Sequence, residues 1–95
     1  MGREEPRYFQ WEIQVGYIVE EENLQSGAVK RRGPFVTEQE ARMVLANAVE
    51  QAYDFNAQLA TANVRQEVED AVRDGRKDCF DAKGNLVCRY TIEQE

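Results

Sequence analysis

The sequence predicts an α+β domain in which two helices cover one face of a four-stranded, mainly antiparallel sheet, in the order β–β–α–α–β–β. Three observations predict it. Residues 8–20 alternate with period two, residues 37–75 carry helix-period stripes between capping signals, and residues 76–92 hold a second alternating segment that folds back on itself. A chain of 95 residues has room for one such domain, residues 1–95, and one core.

In the first strand, Phe9, Trp11, Ile13, Val15, Tyr17 and Val19 alternate with Tyr8, Gln10, Glu12, Gln14, Gly16, Ile18 and Glu20, which makes one buried and one wetter face. The polar residues 1–7 before it read as a flexible tail. Glu20-Glu21-Glu22 and then Asn23 to Gly27 read as a turn, and Ala28-Val29-Lys30-Arg31-Arg32 returns antiparallel. Its charges suit an edge, where they discourage pairing with another chain. Gly33-Pro34 is expected to end this strand.

Thr37 and Glu40 form a capping box that opens a helix. Ala41, Val44, Leu45, Ala48, Val49 and Ala52 then recur at i, i+3, i+4 and give a narrow stripe of small residues able to lie close on a sheet. The stripe loses register between Asn56 and Asn63, so a second helix follows, burying Val64, Val68, Ala71 and Val72 and ending at Gly75. Glu69 and Arg73 stand as an i, i+4 pair. One unbroken helix over 38–74 is the competing arrangement, but it far exceeds the common length.

Asp81-Ala82-Lys83-Gly84 suits a type I turn with Gly84 in the left-handed position. If Asp81 pairs with Asn85, Phe80 faces Leu86 and joins the apolar set Leu86, Cys88, Tyr90 and Ile92. Cys79 then faces Val87, and the two cysteines point to opposite faces and stay reduced. The two most apolar strands belong in the centre, which gives the order 2-1-4-3. The expected core is Trp11, Ile13, Val15, Val44, Leu45, Val49, Val68 and Tyr90.

Residues 31–45, RRGPFVTEQEARMVL, resemble the strand-GPF-helix unit of the SPOR family of peptidoglycan-binding domains, and residues 13–18, IQVGYI, resemble that family's first strand. The resemblance implies a strand entering a helix at Gly33-Pro34-Phe35. SPOR domains place a helix soon after the first strand and close with a single strand, whereas this chain has a hairpin at each position. No binding residue is carried over.

Composition narrows the chemistry. No apolar run approaches the ~20 residues of a membrane helix and the N-terminus is too polar for a secretory signal, so a cytoplasmic protein is expected. With no histidine and two cysteines, the commonest general base is absent and neither a disulfide scaffold nor a structural zinc site can be built. No cofactor, no metal and no enzymatic activity are expected. Asp78, Asp81 and Asn85 lack the spacing of an EF-hand, and an Asp at a turn ordinarily bonds its own backbone.

Charge points to surfaces instead. Residues 37–75 hold eight acidic against three basic side chains, nearly all of the net charge of −6. Glu67, Asp70 and Asp74 share one face of the second helix at i, i+3, i+7, with Arg65 and Arg73 lying toward Glu69. A solvated face is the ordinary use of such charges; a docking surface for a basic partner is the functional one. Lys30, Arg31 and Arg32 make an alternative partner-binding edge, although Glu38 and Glu40 in the adjacent first turn oppose an anion, and direct nucleic-acid binding conflicts with the net charge. Tyr8, Ile18, Tyr53 and Phe55 are hard to bury in two layers and suit an exposed patch or a homodimer contact.

The expected function is that of a small acidic, non-enzymatic regulator or inhibitor that binds another protein, such as a basic nucleic-acid-binding protein. An inhibitor carried by a phage or mobile element fits that size and charge. The alternatives are a small subunit or assembly factor of a larger complex, and a small-ligand-binding domain or enzyme.

Overall fold

The structure, a computed structural model, describes residues 16–95. Its elements are β1 (Tyr17–Asn23), β2 (Val29–Phe35), α1 (Glu38–Phe55), α2 (Val64–Asp74), β3 (Arg76–Phe80) and β4 (Leu86–Gln94). The four strands form one antiparallel sheet in the order β2-β1-β4-β3, with both helices against it, as the patterning requires. Residues 1–7 of the expected tail and Trp11, Ile13 and Val15 of the expected core lie outside the described residues.

The helices begin and end where their caps stand. Thr37 Oγ1 accepts from the Glu40 amide at 3.1 Å, and Asn63 Oδ1 accepts from the Gln66 amide at 3.2 Å. Gly75 closes α2 at φ 68°, a conformation open to glycine without strain. The α1 stripe does what its spacing demands: Ala41, Leu45, Ala48 and Val49 are buried, with Val44 and Ala52 packed beside them. They meet Val19, Tyr90, Cys88, Val87 and Cys79 from the sheet and Ala71 from α2. Val68, expected in the core, is half-buried against it.

Five expectations about the strands are corrected. The acidic run Glu20-Glu21-Glu22 is strand, not turn, because β1 continues to Asn23. Two of the three glutamates are paired: Glu21 faces the helices and bonds Arg32, while Glu20 lies on the opposite face beside Arg31. Gly33-Pro34 does not end β2 but sits within it. Between Tyr17↔Phe35 and Val19↔Arg32 the β2 strand carries one residue more than β1, a bulge that bends the edge. Gly33 makes it possible, since at φ 115° a Cβ there would stand 2.8 Å from the Tyr17 carbonyl oxygen.

The second hairpin has the expected turn and the expected Phe80↔Leu86 pair, yet Cys79 faces Cys88 and not Val87. A bulge beside the pair absorbs Val87, whose carbonyl oxygen accepts from the Leu24 amide at 2.9 Å. In a regular ladder Val87 and Cys88 would point to opposite faces. The bulge lets both enter the core, at 0% and 3% exposure, and that burial favours it. The cysteines therefore share a face. Phe80, expected to join the apolar face of the hairpin, is 43% exposed at the strand end, while Ile18, expected to be hard to bury, is only 5% exposed.

Candidate functional site

Glu67, Asp70 and Asp74 do share one side of α2, but they are not uncompensated. Lys77, projecting from β3 toward α2, bonds Glu67 and stands 3.7 Å from Asp70. Arg73 meets Asp70 at 3.0 Å and Asp74 at 2.9 Å, so its expected partnership with Glu69 gives way to these. The reason is register: β3 starts two residues after α2 ends, and the tight turn at Gly75 brings Lys77 back under the helix.

These contacts set the protonation of the group. Partial burial by itself would raise the Glu67 pKa, but hydrogen bonds from Lys77 and from Thr61 Oγ1, the latter at 2.7 Å, outweigh it and hold the carboxyl below its ordinary range. The Gln66 side-chain amide, donating from Nε2, and then Arg73 and Lys77 lower Asp70, and Arg73 lowers Asp74. The Tyr53 hydroxyl, raised by burial and by Cys79 and Glu67 beside it, links this cluster to the core. Burial pushes the Cys79 thiol up to about 12. The arrangement is a half-buried polar tie between α1, α2 and β3.

Lys30, Arg31 and Arg32 are split by strand alternation. Arg31 stands on the face away from the helices, 3.6 Å from Glu20 and 3.8 Å from Glu93. Lys30 and Arg32 turn to the helix side and line a cleft of ≈ 290 Å³ between α1 and the β1–β2 hairpin, shared with Gln51, Phe55, Asn56 and Cys88. Arg32 bonds Glu21 at 3.1 Å through Nη2, and its Nη1 is buried without an acceptor among the described residues.

Around Asp81 the carboxylate is spent on the turn: it accepts from the amides of Lys83 and Asn85 at 2.9 and 2.8 Å. Asp78 pairs with Arg89 at 3.1 Å on the sheet's outer face. Neither is free to converge on an ion. Among the described residues no helix is long and apolar enough to cross a membrane.

A surface that the sequence reading missed lies between the two helices. Glu50 and Asp54 of α1 and Glu69 and Arg65 of α2 rim a cleft of ≈ 320 Å³ floored by Val64 and Val68. All three carboxylates are exposed, and none lies within ion-pair distance of a basic side chain among the described residues. Glu50 and Asp54 are i, i+4 neighbours, so their common face was legible. That Glu69 would join them depended on how the helices pack.

No family model, no curated protein and no solved structure matches this chain. Function therefore has to be argued from these surfaces. The acidic cleft, the cationic cleft and an apolar end compete for that role. The apolar end gathers Leu24, Phe55 and Phe80, exposed at 39%, 84% and 43%. Backbone bonds from Leu24 to Val87 and from Ala60 to Phe80 hold the loops there together.

Proposed function

We propose that this domain is a non-enzymatic regulator that binds a basic protein through the cleft between α1 and α2. One observation carries the reading: Glu50, Asp54 and Glu69, against the single cation Arg65, surround an apolar floor of Val64 and Val68 without ion-paired partners among the described residues, whereas the acidic side of α2 spends its charge on Lys77 and Arg73. Unpaired carboxylates around a small apolar floor suit a Lys- or Arg-bearing segment, whose stem packs on the valines while its head meets the acids. A nucleic-acid-binding protein presents such segments, since it must neutralise phosphates with the same side chains. The test is capture of binding proteins from the native cell followed by association kinetics with the E50K/D54K/E69K variant. Strongly slowed association supports the reading, and an unchanged rate removes it.

A second reading, a subunit or assembly factor, is favoured by Phe55, 84% exposed at the same end of the fold as Leu24 and Phe80, where α1, β1 and β3 finish. Binding by that end would be insensitive to salt and abolished by Phe55→Ser.

A further inference from the structure

We propose that Cys88 and Cys79 are a dithiol that a small anionic disulfide converts to a cross-strand disulfide bond, reached through the cleft beneath Lys30 and Arg32. The inference is independent of the partner-binding reading. Facing residues on antiparallel strands have Cα atoms roughly 4.5–5.5 Å apart, within the span a disulfide bridges. Cys79 and Cys88 are such a pair, on the core side of the β3–β4 hairpin, and both are free thiols.

Access is unequal. Cys79 is 0% exposed and its neighbours are Tyr53 and Lys77, whereas Cys88 lines the wall of the α1–hairpin cleft. In that cleft Lys30 and Arg32 face one carboxylate, Glu21, so the lining is net positive on a chain that is otherwise acidic. Gln51 and Asn56 add amide donors at the same rim. A peptide-like disulfide bearing carboxylates, of the glutathione disulfide class, fits this combination: carboxylates at the cations, sulfur toward Cys88.

The exchange balances without further reagents. Cys88 sulfur attacks one sulfur of the reagent, forming a mixed disulfide and releasing the first small thiol, which takes up the Cys88 proton. Cys79 sulfur then attacks Cys88 sulfur, forming the Cys79–Cys88 bond and releasing the second small thiol with the Cys79 proton. Two protein thiols are oxidised and one small disulfide is reduced. Burial holds both thiols in the protonated form, so the reaction is slow in the closed domain and gains from transient release of β3, a five-residue edge strand. Once formed, the bond pins that edge.

The test uses the whole wild-type protein. Incubation of the folded chain with glutathione disulfide should give a product two daltons lighter with no free thiol, and a melting temperature raised by about 5–10 °C that returns to its starting value with dithiothreitol. In Cys79→Ser the reaction should stop at a glutathione adduct on Cys88, and Lys30→Glu should slow that first step several-fold with glutathione disulfide but not with neutral hydroxyethyl disulfide. Failure of the folded wild type to form the lighter product under conditions that oxidise the urea-unfolded chain would overturn the proposal, as would an oxidised form less stable than the reduced one. If Lys30→Glu slows both reagents equally, or neither, the cleft is not the route.

Discussion

Arg42 Nη1, on α1, lies 2.9 Å from the carbonyl oxygen of Arg73 and also donates to that of Val72, so one helix caps the C-terminus of the other. The last carbonyls of a helix lack intrahelical donors and carry the negative end of its dipole, and a guanidinium answers both needs. Glu38 fixes its position at 2.7 Å. Arg42→Met, which keeps most of the stem, should cost about 1–2 kcal/mol in urea unfolding, and Glu38→Gln no more than about 0.5 kcal/mol. Equal losses would mean that the salt bridge, not the cap, matters.

Leu45 sits at 0% exposure where α1 meets the sheet. Truncation to Ala should lower stability by roughly 2–5 kcal/mol, the sum of lost transfer energy and an unfilled cavity. Met43, exposed two residues away, should tolerate the same change within about 0.5 kcal/mol. Urea midpoints of the two variants check the orientation of the helix directly.

Acid should weaken the fold through the tie between α2 and β3. Glu67 is held below its ordinary range in the folded state, so its contribution is fully present above the unfolded pKa of about 4.3 and is lost as pH falls through the folded value. Lys77 is shifted up: burial opposes its charge, but Glu67 and Asp70 outweigh that, and its contribution is lost as pH rises through the folded value, above about 10.4. Urea midpoints taken from pH 3 to 7 should fall below about pH 4.5 in the wild type, and less steeply in Glu67→Gln. Identical slopes would show that the pair does not respond to acid.

What the sequence revealed and what it hid divide along a physical line. Periodicity and caps depend on neighbouring residues, so the two helices, the break at residues 56–63, Thr37, Gly75 and the Asp81–Asn85 turn were all legible. The bulges at Gly33-Pro34 and at Val87 were not, because each is set by contacts across strands, the close approach of the Tyr17 carbonyl to Gly33 in one case and the core and the Leu24 amide in the other. One missed bulge was enough to set Cys79 and Cys88 on the wrong faces. For the same reason the charge count located the acidic excess on the helices but could not tell which carboxylates Lys77 and Arg73 would consume. That depended on where β3 returned under α2.

Two triple reversals should accordingly behave in opposite ways. Reversing Glu67, Asp70 and Asp74 to Lys sets new positive charge against Lys77 and Arg73, and the Glu67–Lys77 bond alone should cost on the order of 2 kcal/mol, because a charge-assisted hydrogen bond in a partly buried site is lost and a like charge replaces it. Reversing Glu50, Asp54 and Glu69 breaks no ion pair among the described residues and should leave the midpoint within about 0.5 kcal/mol. Partner association should respond in the reverse order: slowed strongly by the second set, with a wild-type rate that falls as the Debye length shortens from ~10 Å at 0.1 M salt to ~3 Å at 1 M. Thermal unfolding of both variants, followed by stopped-flow association at the two salt concentrations, separates structural acids from docking acids. Should the Glu67, Asp70 and Asp74 set slow binding while stability stays at the wild-type level, the docking surface belongs on α2 and not in the cleft between the helices.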